Sequence, residues 1–107
     1  MATTHKWRVL DAILKLLIAG NKDLELRLGH DRFKAAKIGD IIIFNGRCRR
    51  EIVSIREYDN YRITLLNEDS QRILPGMARD VLLRALENNL KDDVERLGVL
   101  IFELKPC

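Results

Sequence analysis

Three ionic residues stand close together near the start of the chain: Lys22, Glu25 and Arg27, in the run Gly20-Asn21-Lys22-Asp23-Leu24-Glu25-Leu26-Arg27. A lysine and an arginine can neutralise anionic oxygens. The carboxylate between them can orient the arginine, accept a hydrogen bond from an exocyclic amine, or act as a general base toward water. Leu24, Leu26 and Leu28 alternate with Asp23, Glu25 and Arg27. In a strand the leucines then enter a core, Glu25 and Arg27 share the other face, and Lys22 sits at the strand's mouth. On spacing alone, the plain reading is a half-exposed strand whose polar face is solvated.

The elements around this run follow from periodicity. Trp7, Leu10, Ile13, Leu14, Leu17 and Ile18 recur at helical spacing, which predicts a first helix over 7–19 that Gly20 and Asn21 stop. His30 to Lys37 reads as a loop or a single helical turn. Ile41 to Phe44 is an unbroken apolar run, expected to be a strand covered on both faces. Asn45-Gly46 is a strong hairpin signal, because a type I′ turn needs positive φ at both centre positions. The returning strand, Arg47 to Tyr58, puts Val53 and Ile55 on one face. By parity Arg47 and Arg49 lie there too, so the charges at Arg47, Arg49, Arg50 and Glu51 either project past the core or are rotated outward by a bulge.

Asp59 or Asn60 caps a short helix carrying Tyr61, Leu65 and Leu66. A second turn runs through Ile73 and Leu74, and Pro75-Gly76 breaks it. A longer helix follows from Ala78 to Leu86 and fades through Asn88 and Asn89. A charged turn over Lys91 to Arg96 leads to an apolar strand from Val99 to Leu104, expected to close a barrel. Trp7 is read as the first helix's anchor onto that barrel.

The lysine, glutamate and arginine match the pattern G-x-K-x-x-E-x-R. Lys37-Ile38-Gly39-Asp40-Ile41-Ile42-Ile43-Phe44, then Tyr58 and Tyr61, then Ile73-Leu74-Pro75-Gly76 follow in order. With these segments the chain resembles the ASCH family, small domains similar to the PUA fold of RNA-binding and RNA-modifying proteins. The resemblance implies an α+β fold: a small PUA-like mixed β-barrel with flanking helices, occupying residues 1–107 as one domain. It also implies a cleft between barrel and helices, lined by Lys22, Glu25 and Arg27 with Tyr58 or Tyr61 close by.

Size and composition agree with one core. The chain has 107 residues, 47% of them hydrophobic, and a formal charge of +3. Twelve arginines against seven lysines tilt the surface toward phosphate or carboxylate recognition. No stretch suits a membrane span and no signal-peptide apolar region is present, so a cytoplasmic location is expected. Cys48 and Cys107 lack metal-ligand spacing and read as free thiols, and His5 and His30 flank no carboxylate motif. Neither a metal nor a cofactor is expected.

Three functions are compatible with these residues. In the first, the domain binds RNA or a nucleotide, with Lys22 and Arg27 on anionic oxygens, Glu25 on a base edge and on Arg27, the tyrosines as stacking surfaces, and Arg47, Arg49, Arg50 and Arg62 extending a basic track. In the second it is a hydrolase acting on a modified nucleoside or on RNA, like an N4-acetylcytidine amidohydrolase or a ribonuclease. Some proteins similar to the ASCH family deacetylate N4-acetylcytidine with a lysine that activates a threonine and a later glutamate that assists. Lys22 matches that lysine, but Glu25 stands at the threonine position, so Glu25 would have to serve as base toward water, with Glu68 as the later carboxylate. In the third, the domain is a structural adaptor and the ionic run is a buried network. A monomer or weak dimer is expected in each case.

Overall fold

The computed structural model describes residues 2–107, with side chains outside residues 89–95. Ten elements follow one another: β1 (Thr4–Trp7), α1 (Asp11–Ala19), β2 (Leu24–Leu28), α2 (Asp31–Lys34), β3 (Ile41–Phe44), β4 (Cys48–Tyr58), α3 (Tyr61–Asn67), α4 (Ser70–Ile73), α5 (Arg79–Leu97) and β5 (Val99–Pro106). The strands form one mixed sheet in the order β1-β3-β4-β5-β2, with β1 parallel to β3 and the other pairs antiparallel. The result is a small α+β domain whose five-stranded sheet makes a half-barrel.

β5 does not close a barrel, as the sequence suggested it would. It is an interior strand between β4 and β2, and the free edges belong to β1 and β2. Its apolar character on both faces has a different cause, because each face of the sheet packs against its own helices. On one face Trp7, Phe44, Ile52, Leu100, Phe102 and Leu104 meet Leu14 and Leu17 of α1 and Phe33 of α2. On the other, Leu24 and Ile101 meet α3, α4 and α5 through Leu65, Ile73 and Leu82, and Val99 meets Tyr61 of α3.

The first helix begins later than the periodicity predicts. Residues 4–7 extend as β1 beside β3, Leu10 is exposed, and the helix starts at Asp11. Trp7 keeps its place in the apolar stripe because it enters the same core from a strand. The expected fading of the long helix through Asn88 and Asn89 is also absent, since α5 continues to Leu97 and the predicted charged turn over Lys91 to Arg96 lies within it. The covered-on-both-faces expectation for β3 holds for one face only. Ile42 and Phe44 are fully buried, whereas Ile41 and Ile43 are half-buried beside their partners Glu51 and Arg49.

Asn45 and Gly46 adopt φ of 54° and 67°, the positive values that a type I′ turn requires. A bulge between Ile52 and Ser54 then shifts the parity of β4, so that Ile52 and Ile55, rather than Val53 and Ile55, face the Phe102 side. Asn60 caps α3 by accepting from the Ile63 N–H, as its position suggests.

β1 is short, and one carboxylate holds its start. Asp40 accepts from the Thr3 N–H at 3.0 Å, the Lys37 N–H at 3.0 Å and the His5 ring at 2.8 Å. The backbone bond from Thr3 and then the His5 bond hold this carboxyl well below its ordinary value of 3.8, at about 2. A depressed carboxyl stabilises the fold fully above its unfolded-state value and loses that contribution as pH falls through the folded one. Acid titration is therefore expected to loosen β1 between pH 3.8 and about 2. Asp40→Asn should be less stable at neutral pH and should lose the steepness in that window, measured as the slope of Tm against pH. An unchanged acid limb in the variant would remove Asp40 from this role.

Candidate functional site

β2 pairs with β5 so that Glu25 lies opposite Phe102 and Arg27 opposite Leu100. The two charged residues thus share a face with the aromatic cluster, and the leucines turn to α3, α4 and α5. The predicted division of β2 into two faces is observed, but its polar face is covered. Glu25 is only 5% exposed and Lys22 only 4%.

Burial of these charges is matched by their partners. The Lys22 ammonium donates to the carbonyl of Leu24 at 2.5 Å, the carbonyl of Ile73 at 2.6 Å and Glu25 Oε1 at 3.0 Å. A protonated amine has three N–H donors, and all three are used. The other carboxylate oxygen, Glu25 Oε2, accepts from Arg27 Nε at 2.9 Å and Nη2 at 2.6 Å. Arg27 then crosses to the far edge of the sheet, where Nη2 also donates to the carbonyl of Arg8 at 2.9 Å. Its guanidinium carbon lies 5.2 Å from the Trp7 ring and 5.1 Å from the Phe33 ring, in cation–π range of both. Lys22, Glu25 and Arg27 are therefore a chain of contacts in which the first two fix the third.

Arg27 forms part of two recesses. The larger, about 410 Å³, is lined by Lys6, Trp7, Arg8, Arg27, Arg32, Asn45 and Gly46. Among the described residues, four cations line it and no carboxylate does. The turn at its rim is tied down by Asn45, whose side chain accepts from the Val9 N–H at 2.9 Å and donates to the Val9 carbonyl at 2.8 Å. Arg32 lies over Phe33 at 4.9 Å and donates to the carbonyl of Lys6 at 3.4 Å. The smaller recess, about 260 Å³, is lined by Leu26, Arg27, Leu28, His30, Phe33, Tyr61 and Leu86.

The remaining sequence candidates lie elsewhere. Tyr58 and Glu68 meet each other on the opposite face, where the Tyr58 hydroxyl donates to Glu68 at 2.5 Å. Glu68 also accepts two bonds from Arg56, each at 2.6 Å. Arg56 goes on to Glu103 at 2.8 Å, Glu103 meets Arg72 at 3.3 Å, and Arg72 grips both oxygens of Asp23. This chain of charges binds α3 and α4 to the sheet. Burial works against ionisation of Glu68, yet the Arg56 and Tyr58 bonds outweigh it and hold the carboxyl below the usual range. The Arg56 bond does the same for Glu103. Burial and the carboxylate partner raise the Tyr58 phenol.

Tyr61 is 1% exposed and packs with Leu28 and Val99. Arg62 is exposed on α3, 3.5 Å from Glu87. Arg47 and Arg49 are exposed near the hairpin turn, whereas Arg50 turns inward and donates to the carbonyl of Leu17 at 2.7 Å, capping the end of α1.

Sequence reasoning missed Lys6, Arg8 and Arg32 of the cationic recess, along with Arg56 and Arg72 of the opposite network. Glu103 carried a usable signal, since it is the lone charge in the apolar run from Val99 to Leu104, whereas Arg56, followed directly by Glu57, carried none. Lys6 and Arg8 carried none, because their role depends on residues 4–7 being a strand.

No family model matches the chain, and no curated protein matches it significantly. Two solved structures are similar along its whole length. Hypothetical protein PH0355 superposes with a TM-score of 0.89 at 25% identity, covering 98% of this chain and 100% of its own. The solution NMR structure of protein PF0455 from Pyrococcus furiosus gives a TM-score of 0.80 at 23% identity, with 97% of both chains covered. What these proteins have in common with the present chain is the fold, a small α+β domain built on one five-stranded half-barrel sheet.

Proposed function

We propose that this domain binds RNA or a nucleotide through the recess lined by Lys6, Arg8, Arg27 and Arg32. The observation that carries the reading is the charge of that lining: among the described residues, four cations and no acid around about 410 Å³, and an aromatic wall at Trp7. Phosphate oxygens are the natural counterpart of such a surface. The exposed Arg47 and Arg49 near the adjoining turn extend it toward further phosphates. The likeness of the G-x-K-x-x-E-x-R run and its companion segments to ASCH domains, and of those to PUA-like RNA binders, supports the same reading.

Lys22 and Glu25 take a different part from the one their spacing suggests. Every donor of the Lys22 ammonium has an internal acceptor, and both oxygens of Glu25 face cations. These contacts favour a positioning role in which the pair holds Arg27 at the recess. They also weigh against Glu25 as a base toward water, and Glu68 stands on the other face of the sheet. The reading needs neither turnover nor a cofactor.

The test is binding of a labelled oligoribonucleotide across a salt series from about 50 to 200 mM. Each phosphate contact contributes about 0.7 to the slope of log affinity against log salt for single strands. Arg8→Ala combined with Arg32→Ala is expected to weaken binding and flatten the slope by about 1.4, with the melting temperature little changed. Equal affinity and equal slope in the double variant would reject the recess as the binding surface.

A further inference from the structure

We infer that the site takes a single nucleotide unit carrying a terminal phosphate monoester, with the phosphate in the cationic recess and the base in the apolar recess on the other side of Arg27. The inference rests on the phosphate-binding reading above and names its ligand class.

Three observations lead to it. First, Arg27 is a wall of both recesses. One guanidinium, fixed by Glu25, Arg8 and two aromatic rings, therefore separates a charged compartment from a greasy one. A ligand that fills both must be anionic at one end and flat and apolar at the other.

Second, the two compartments differ in chemistry in the way a nucleotide does. Leu26, Leu28 and Leu86 with the rings of Phe33 and Tyr61 surround about 260 Å³. His30, Arg27 and the Tyr61 hydroxyl are the polar groups among those lining residues; the first two suit the edge of a base, and a guanidinium plane also accepts a stacked ring.

Third, the charge is more than an internal phosphodiester calls for. A diester carries one negative charge, while a monoester carries close to two near neutral pH. Glu25 divides its charge between Lys22 and Arg27 and meets no other cation of the recess, which leaves Lys6, Arg8 and Arg32 for the ligand among the described lining residues. A terminal monoester matches that surplus better. It can come from a free nucleotide or from the phosphorylated end of an RNA.

The protein has one tryptophan, Trp7, and it lines the cationic recess, so its fluorescence reports occupancy. Titrations of the intact chain with inorganic phosphate, adenosine and uridine, their 5′-monophosphates, and one oligoribonucleotide with and without a 5′-phosphate test the inference. At least one monophosphate is expected to bind tenfold or more tightly than phosphate and than its nucleoside. Leu86→Phe, which fills the apolar recess, should erase that advantage and leave phosphate affinity unchanged. His30→Ala, at an exposed position, should reduce the advantage several-fold and serves if Leu86→Phe misfolds. Preference for the phosphorylated oligonucleotide would identify an RNA end as the source, and binding of monophosphates without oligonucleotides would identify the free nucleotide. Monophosphates binding no better than phosphate, or oligonucleotides binding equally with and without the 5′-phosphate while monophosphates do not bind, would overturn the inference and leave the cationic recess standing. Failure of every anion to bind would remove the phosphate-binding reading itself.

Discussion

Glu25→Gln is expected to destabilise the domain by about 3–5 kcal/mol, the usual cost of removing one member of a buried ion pair. The substitution keeps the side chain's shape and removes its charge. Lys22, which is 4% exposed, then keeps its two carbonyl acceptors but loses its counter-charge, and Arg27 loses both bonds to the anionic Oε2. For a domain of this length each 1 kcal/mol corresponds to about 4–8 °C, so the melting temperature should fall by tens of degrees. Lys22→Met is the informative companion. It removes a buried cation and leaves Glu25 still bound to Arg27, so it should cost less than Glu25→Gln. A fall of under about 5 °C for Glu25→Gln would show that the carboxylate is not the keystone of the buried network.

Trp7→Ala should be comparably damaging, at about 3–5 kcal/mol, the range for deleting a large buried aromatic side chain. Trp7 meets Phe33 and Phe102 edge-on, with ring centroids 5.0 Å apart in each case, and Phe44 at 6.2 Å. It is also one of the two rings that hold the Arg27 guanidinium. Chemical denaturation would read the stability loss, and Trp7→Phe should recover a good part of it. The two variants share Arg27, so the double substitution should cost less than the sum of the singles. A Trp7→Ala cost below about 1 kcal/mol would show that β1 is not anchored by this residue.

Both predictions concern residues that the sequence singled out: for Glu25 it left open a solvated face, a cleft or a buried network, and the burial agrees with the last, while for Trp7 it named a helix in place of a strand. The alternation of Leu24, Leu26 and Leu28 with Glu25 and Arg27 showed which residues share a face. It could not show that the polar face is roofed by Trp7 and Phe33, which come from segments before and after β2. Trp7 itself fell at helical spacing with Leu14 and Leu17 because all three reach one core, although a strand delivers the first and a helix the other two. Thr4 to Trp7 holds a single apolar residue, so it carries no apolar and polar alternation to read.

Local signals fared better where the backbone alone decides. Asn45-Gly46 marked its turn, Asn60 its cap, and Gly20, at φ of 81°, the end of α1. Val53 was misassigned because a bulge changes parity without leaving a mark in residue type. Glu68 had been grouped with Lys22 and Glu25 on the strength of its chemistry. Its real partners, Arg56 and Tyr58, lie on the preceding long strand, and only the pairing of β4 with β5 sets them on the opposite side of the sheet from Glu25.

The side chains that fix Arg27 and its neighbours also settle the fate of the sheet's two borders. The outward carbonyls of Lys6 in β1 and of Arg8 just past its end receive Arg32 and Arg27, and along β2 the outward carbonyl of Leu24 receives Lys22. An incoming chain seeking to add itself as a sixth strand would find those acceptors already taken and cations in its path. The same arginines that gather charge for a ligand thus guard against runaway polymerisation, and neutralising them invites fibrils at high protein concentration.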